Sequence, residues 1–438
     1  MRVFLSLILL LSPLTPASAV AQEDALLTEV DKRAAAIEKQ VIAWRRDVHE
    51  NPELSNREFR TAKLVADYLK SLGMEVRTEV AHTGVVGVLR GASAEPVVAL
   101  RADMDGLPVT EETGLPYASK VRTEYNGREV GVMHACGHDT HVAILLGAAT
   151  VLSELRNELP GTVKFIFKPA EEGAPPGENG GAEMMVEEGA LDNPRPEAIF
   201  GLHSVPEFEV GQVAYRAGGM MASSDRLTIR IGGRQTHGAK PWLGIDPIVV
   251  SAQIIMALQT IASRQVDVTL APSIVTIGSV HGGVRYNIIP DEVDMLGTIR
   301  AFDADMREDI HRRVKRTVAA IAESAGATAE VTIDNGIPVT YNDAAITDRM
   351  APTLRKVVGE GNAILTTPQT WAEDFSYYQK EIPGLYFLLG VRTAGADRSE
   401  FAPNHSPKFR VDEDALVVGV RAMAYLAIEY LQGQKPRQ

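Results

Sequence analysis

The stretch "MHACGHDTH" at residues 133–141 gathers His134, Cys136, His138, Asp139 and His141, and Cys136 is the only cysteine in the chain. Thiolate, imidazole and carboxylate together are the donor set of zinc-like ions. Cys136 and His138, two residues apart on a loop or extended turn, can reach one centre. An unpaired thiol has three ordinary fates: a small buried apolar side chain, a nucleophile activated by a histidine base, or a metal ligand. Three histidines around it favour the ligand. The nucleophile reading needs a third group to hold the base, which Asp139 could supply, but it leaves the acids elsewhere in the chain without a role.

Those acids stand at the ends of apolar runs. Asp103 and Asp105 follow "VVAL", Glu171 and Glu172 follow "TVKFIFKPA", and His203 follows "AIFGL". Neighbouring side chains at a strand end point in different directions. One carboxylate of the Glu171–Glu172 pair can therefore bind metal while the other faces substrate as a general base. A divalent ion lowers the pKa of the water it holds to ~7, and a nearby carboxylate takes the proton. The bland alternative, a solvated acidic pair, is weakened by the apolar strand that precedes it.

The elements that must position these residues read as α/β. Residues 26–72 have a helical pattern that breaks near Asn51–Pro52 and stops at Gly73. "TGVVGVLRG", "PVVALRADMD", "GTVKFIFKPAEE" and "EAIFGLHS" are strand-length apolar runs, with "THVAILLGAATVLSEL" a helix among them. Strands alternating with helices imply an open, mostly parallel sheet, whose outgoing strand edge is where ligands bind. Residues 218–336 follow a different order, βαββαβ, a small two-layer unit. The expected organisation is one catalytic domain, 22–217 with 337–438, interrupted by an inserted ferredoxin-like unit at 218–336.

Composition narrows the function classes. A formal net charge of -13 over 438 residues argues against a nucleic-acid binder. Residues 1–21 carry Arg2, an apolar run and small residues at "ASAVA", the pattern of a signal peptide. An exported chain starting near Gln22, periplasmic or secreted, is expected, with no later stretch apolar enough to cross a bilayer.

Taken in order, "RRDVHENPELSNREFRT", "ALRADMDGLPVTE", "MHACGHDTHVAILLGAA", "FIFKPAEEG", "GLHSVP", "HGAKPWLGIDPI", "YNIIPDEVDMLGTIR", "EDFSYY" and "NHSPKF" resemble the M20 metallopeptidase family, in its amidohydrolase branch. The resemblance spans nearly all of the chain after the leader. It implies two divalent metal ions (Zn, Mn, Ni or Co) held by Cys136, His138, Glu172, His203 and His405. It makes Glu171 the general base and Asp105 the acid that orients a ligand. It implies a homodimer formed through the inserted unit, with His237 reaching the partner's site and polarising the scissile carbonyl, and Asn287 and Arg300 contacting substrate. The substrate class it implies is small N-acyl amino acids or related conjugates. A di-metal dipeptidase or carboxypeptidase and a non-catalytic exported binding protein are the rival readings. Two features depart from the family's pattern: the loop over 173–185 is long, and Trp371 precedes the usual acidic pair.

Overall fold

A computed structural model describes the backbone of residues 16–433 and the side chains of 25–433. Of the expected leader, residues 1–15 lie outside the described residues, and 16–21 form the start of the first helix, Pro16–Glu50. That helix ends where Pro52, with no amide N–H to donate, cannot continue it, and the next begins only at Phe59.

The catalytic part is built on an eight-stranded sheet. In spatial order its strands are Glu75–Val80, Gly84–Arg90, Thr162–Lys168, Val97–Asp103, Ala198–Glu209, Gly384–Arg392, Val213–Tyr215 and Ala363–Leu365. The central pairs are parallel, and three contacts toward the edges are antiparallel. Val97–Asp103 is buried along its whole length, because helices cover both faces and a continuous apolar run is what such a strand needs. Val98, Leu100 and Ala102 face one core with the long helices; Ala99 faces the other. The His138–Glu154 helix, buried from residue 138 to 152, lies between the first helix and the closing helix Asp414–Gly433. Gly147 permits this closeness: a Cβ there would stand 2.6 Å from Val420 and 3.0 Å from Val41.

Within 225–334 lies a separate antiparallel sheet, ordered Ser273–Gly282, Glu292–Ala301, Asp225–Gly232, Thr328–Asp334, with helices Pro247–Thr260 and Ala304–Ser324. Burial alternates along Asp225–Gly232, as expected of a strand with one face packed on helices. A short ribbon joins this unit to the rest: Gly218–Met221 pairs with Thr340–Asn342.

One expectation needs correcting. Among the described residues Pro247–Gln265 is long and apolar enough by composition to cross a bilayer, with mean hydropathy 1.2 over 19 residues. The cause is a helix apolar on two faces. Val250, Ile254 and Leu258 pack on the inserted sheet, while Ile248, Val249 and Met256 are exposed.

Candidate metal centre

The "ACGH" turn sets the site. Gly137 adopts φ 90° and caps the helix that starts at His138. A Cβ at Gly137 would meet Ser204 Oγ at 2.2 Å, so glycine alone lets the turn approach the Ala198–Glu209 strand. This approach brings Cys136 Sγ to 3.4 Å from His203 Nε2. His203 lies inside that strand rather than at its end, because the strand continues to Glu209. From the far end of the chain, His405 N donates to Ala135 O at 2.8 Å, and Asn404 Nδ2 donates to Cys136 O at 3.0 Å. His405 itself holds a left-handed φ of 67°, a strained conformation for a residue other than glycine. Its Nε2 stands 3.2 Å from Glu172 Oε1.

Of five trios of donor atoms among the described residues whose members lie within 4.8 Å of one another, two contain the sulfur: Cys136, His138 and His203, and Cys136, Glu172 and His405. Their union is the ligand set that the resemblance implied, and the sulfur belongs to both. Glu171 joins His138 and Glu172 in a third group, and its Oε2 is 3.9 Å from His138 Nε2.

The residues fit divalent cations on physical grounds. His138 Nε2 is buried and makes no hydrogen bond, a costly state unless something occupies it. Its other nitrogen, Nδ1, lies 2.9 Å from the Asp105 carbonyl and 3.2 Å from Asp105 Oδ1, the arrangement that fixes tautomer and ring orientation in metal-ligating histidines. Asp105 is held in turn by Ser55 Oγ at 2.8 Å and Glu172 N at 3.0 Å. Burial, with His141 beside it, lowers His203 to about 3, leaving a neutral imidazole. Burial pushes the Glu171 carboxyl well above its usual range, with Glu373 and Glu172 adding repulsion. Burial and Glu172 likewise push up the Cys136 thiol. Cations at the trios would reverse both effects.

Behind Glu171 is a buried charge network whose pairing no local sequence pattern shows, though its acidic pair stands in "EDFSYY". Arg101 contacts Asp103 at 2.7 Å, Glu373 at 2.8 Å and Asp374 at 2.8 Å, and Lys168 contacts Asp374 at 2.7 Å. His141 Nδ1 meets Asp103 Oδ1 at 2.5 Å and its Nε2 meets Ser204; Asp139 faces Arg45 and His49 rather than the thiol. Asp139 is therefore not placed to orient a base for a cysteine nucleophile.

The residues expected from the inserted unit stand elsewhere. His237 is exposed on a two-residue strand, its Nδ1 accepting from Ala239 N at 3.0 Å. Asn287, beside it, has a buried Oδ1 without a hydrogen bond, and Arg300 is half-buried on the Glu292–Ala301 strand. None of the three belongs to either trio or lines the cavity of about 270 Å³ over them.

Residues 99–429 match the sequence pattern of peptidase family M20/M25/M40, well over half of the chain. The chain belongs to peptidase family M20. It is 41% identical over 407 residues to thermostable carboxypeptidase 2 of Saccharolobus solfataricus, covering 92% of this chain and 99% of that one. It is 39% identical to N-acetyl-L-cysteine deacetylase of Bacillus subtilis, over 87% of this chain and 86% of that one. It also resembles the solved structure of B. subtilis YxeP, described as a dinuclear metal-binding peptidase of family M20. There the TM-score is 0.75 at 36% identity, over 91% of this chain and 99% of that one. The protein is thus a metal-dependent hydrolase of the amidohydrolase and peptidase kind.

Proposed function

We propose that this M20 hydrolase cleaves the amide bond between an acyl group and an amino acid that bears a free carboxylate. The observation that carries the reading is the sharing of one sulfur, Cys136, by two ligand trios with Glu171 at their edge. The relatives include a deacetylase of N-acetyl-L-cysteine and an IAA-amino acid hydrolase of Arabidopsis thaliana, 39% identical over 396 residues.

On this reading Cys136, His138, Glu172, His203 and His405 hold two divalent ions, with Zn, Mn, Ni and Co all suited to the donors. When bound, the ions supply positive charge that polarises the scissile carbonyl and acidifies the attacking water. Asp105 keeps the His138 ring turned so that Nε2 faces the centre. Glu171 accepts the proton of the attacking water and delivers it to the leaving nitrogen. The chain acts as a homodimer through its inserted unit, for which the exposed Ile248, Val249 and Met256 and the exposed Val280 on the edge strand offer an apolar face. His237 of the partner subunit reaches the scissile carbonyl, and Asn287 and Arg300 take the substrate carboxylate. The leader pattern of residues 1–21 directs the chain to the periplasm or the medium.

The test is Glu171→Gln. It should keep its metal content and lose turnover of N-acetyl amino acids by about 100-fold or more, the usual reach of a general base. Near-normal turnover would remove Glu171 from that role. A second reading, release of a C-terminal residue from short peptides, is favoured by the carboxypeptidases at 41% identity. Comparing kcat/KM for N-acetyl amino acids with that for short peptides of the same C-terminal residue separates the two.

A further inference from the structure

The long Gly/Pro-rich loop after Glu172 has a structural job. Residues 173–180 form it, since 181–187 are helical. Its far end is pinned. Glu178 accepts from Arg57 Nη2 at 2.5 Å and Nη1 at 3.1 Å, and from Asn56 Nδ2 at 3.1 Å; Asn56 also bonds Asn179 O at 3.0 Å. Pinned this way, the loop's Pro175 and Pro176 become one wall of a cavity of about 590 Å³. Another wall is the exposed strand Arg122–Tyr125, held in a hairpin by its pairing with Arg128–Gly131.

This cavity and the one over the metal centre share Glu172. Beyond it their linings have no residue in common. The smaller is walled by Trp371 and Ala372, next to the Met221–Gln369 bridge that leads to the inserted unit. The larger is walled by an apolar strip, Leu54, Leu107, Val121, Val132 and Pro175, and by polar Ser55, Thr123, Glu124 and Asn126. Of its two guanidinium groups, Arg57 already faces Glu178 and Arg122 already faces Glu129 at 2.6 Å. The space is therefore large, mixed in lining with an apolar strip, acidic rather than basic, and without an unpaired cation from either arginine. A cavity of ~150 Å³ is enough for benzene, so an acetyl group would leave most of it empty.

The geometry points to an acyl-group subsite here: an uncharged apolar acyl group longer than acetyl lies between the 173–180 loop and the 122–131 hairpin, its amide at the Cys136 centre. This rests on the amidohydrolase reading, in which the amino-acid carboxylate lies toward the inserted unit, so that the acyl group leaves on the other side.

The experiment is a chain-length series, N-acetyl to N-octanoyl on one amino acid, with N-succinyl as a charged member. Apolar burial predicts that kcat/KM rises about threefold to fourfold per methylene over the first few steps, with no gain for N-succinyl. Thr123→Trp, on the exposed hairpin strand, should lower the octanoyl-to-acetyl ratio about tenfold, and Glu178→Ala, which releases the proline wall, should lower it severalfold. A flat series, an equal gain for N-succinyl, or variants that lower all substrates alike would overturn the subsite. Product inhibition tests the same subsite on the unaltered protein: octanoate should inhibit more strongly than acetate, and equal inhibition counts against it. If no N-acyl amino acid is cleaved, the amidohydrolase reading itself fails. Ready cleavage of N-acetyl substrate with a flat series sinks the subsite alone.

Discussion

Glu58 supports the segment that carries the proposed base, at a cost that changes with pH. Its Oε1 accepts from Ala170 N at 2.9 Å and its Oε2 from Thr83 Oγ1 at 2.6 Å. Ala170, at φ 54°, is the residue before Glu171. Burial raises the Glu58 carboxyl from 4.5 to about 7, Asp105 adds repulsion, and the two hydrogen bonds restrain the rise. The folded state therefore keeps its proton where the unfolded state has lost it. Stability from this group is fully present below 4.5 and is lost as pH rises through 7. Holding the carboxyl at about 7 rather than 4.5 costs about 3 kcal/mol once both states are ionised. Glu58→Gln keeps an acceptor for Ala170 N and abolishes the titration. Urea unfolding of both proteins in chelator, at pH 5 and pH 8, isolates the effect from metal binding. The variant should gain about 2–3 kcal/mol on the parent between the two pH values. A stability difference independent of pH, or one that moves the other way, would refute the assignment.

Other perturbations address the centre itself. Cys136→Ser should lower retained metal at least about tenfold, as loss of even a supporting residue commonly does; elemental analysis after dialysis checks this, and unchanged stoichiometry would exclude the sulfur as a ligand. Arg101→Met leaves Asp103, Glu373 and Asp374 buried around a lost cation. It should destabilise by about 3–5 kcal/mol in urea unfolding, and a loss below 1 kcal/mol would mean that the network relaxes.

Much of this was legible from residue types. The run "PVVALRAD" announced a strand buried on both faces, and "THVAILLGAATVLSEL" a central helix. Cys136, His138, His203 and the Glu171–Glu172 pair stood out because each sits next to an apolar run of readable length; which glutamate serves as ligand came from the resemblance. His405 did not: "PNHSP" is a loop, and long-range bonds, its own to Ala135, 270 positions earlier, and that of Asn404 to Cys136, bring it in. Resemblance supplied it where local pattern could not. The acidic pair Glu373–Asp374 was visible in "EDFSYY", but its pairing with Arg101 and Lys168 was hidden, because the members come from three segments and a charged residue inside a strand usually signals a solvated edge. Short strands such as Val213–Tyr215 and Ala363–Leu365 carry too few residues for periodicity to register. The helix Pro247–Thr260 was read as a helix of the inserted unit, and only its second, exposed apolar face went unnoticed.

The order of the sheet bears on how the protein is made. Gly384–Arg392 lies inside the sheet, between Ala198–Glu209 and Val213–Tyr215, so its neighbours wait for it while the ribosome adds more than 150 further residues. The inserted unit, contiguous in sequence, can fold during that wait. His405 emerges later still. A nascent chain halted before it would therefore present a finished satellite beside a catalytic half with one ligand trio complete and the other still missing its histidine.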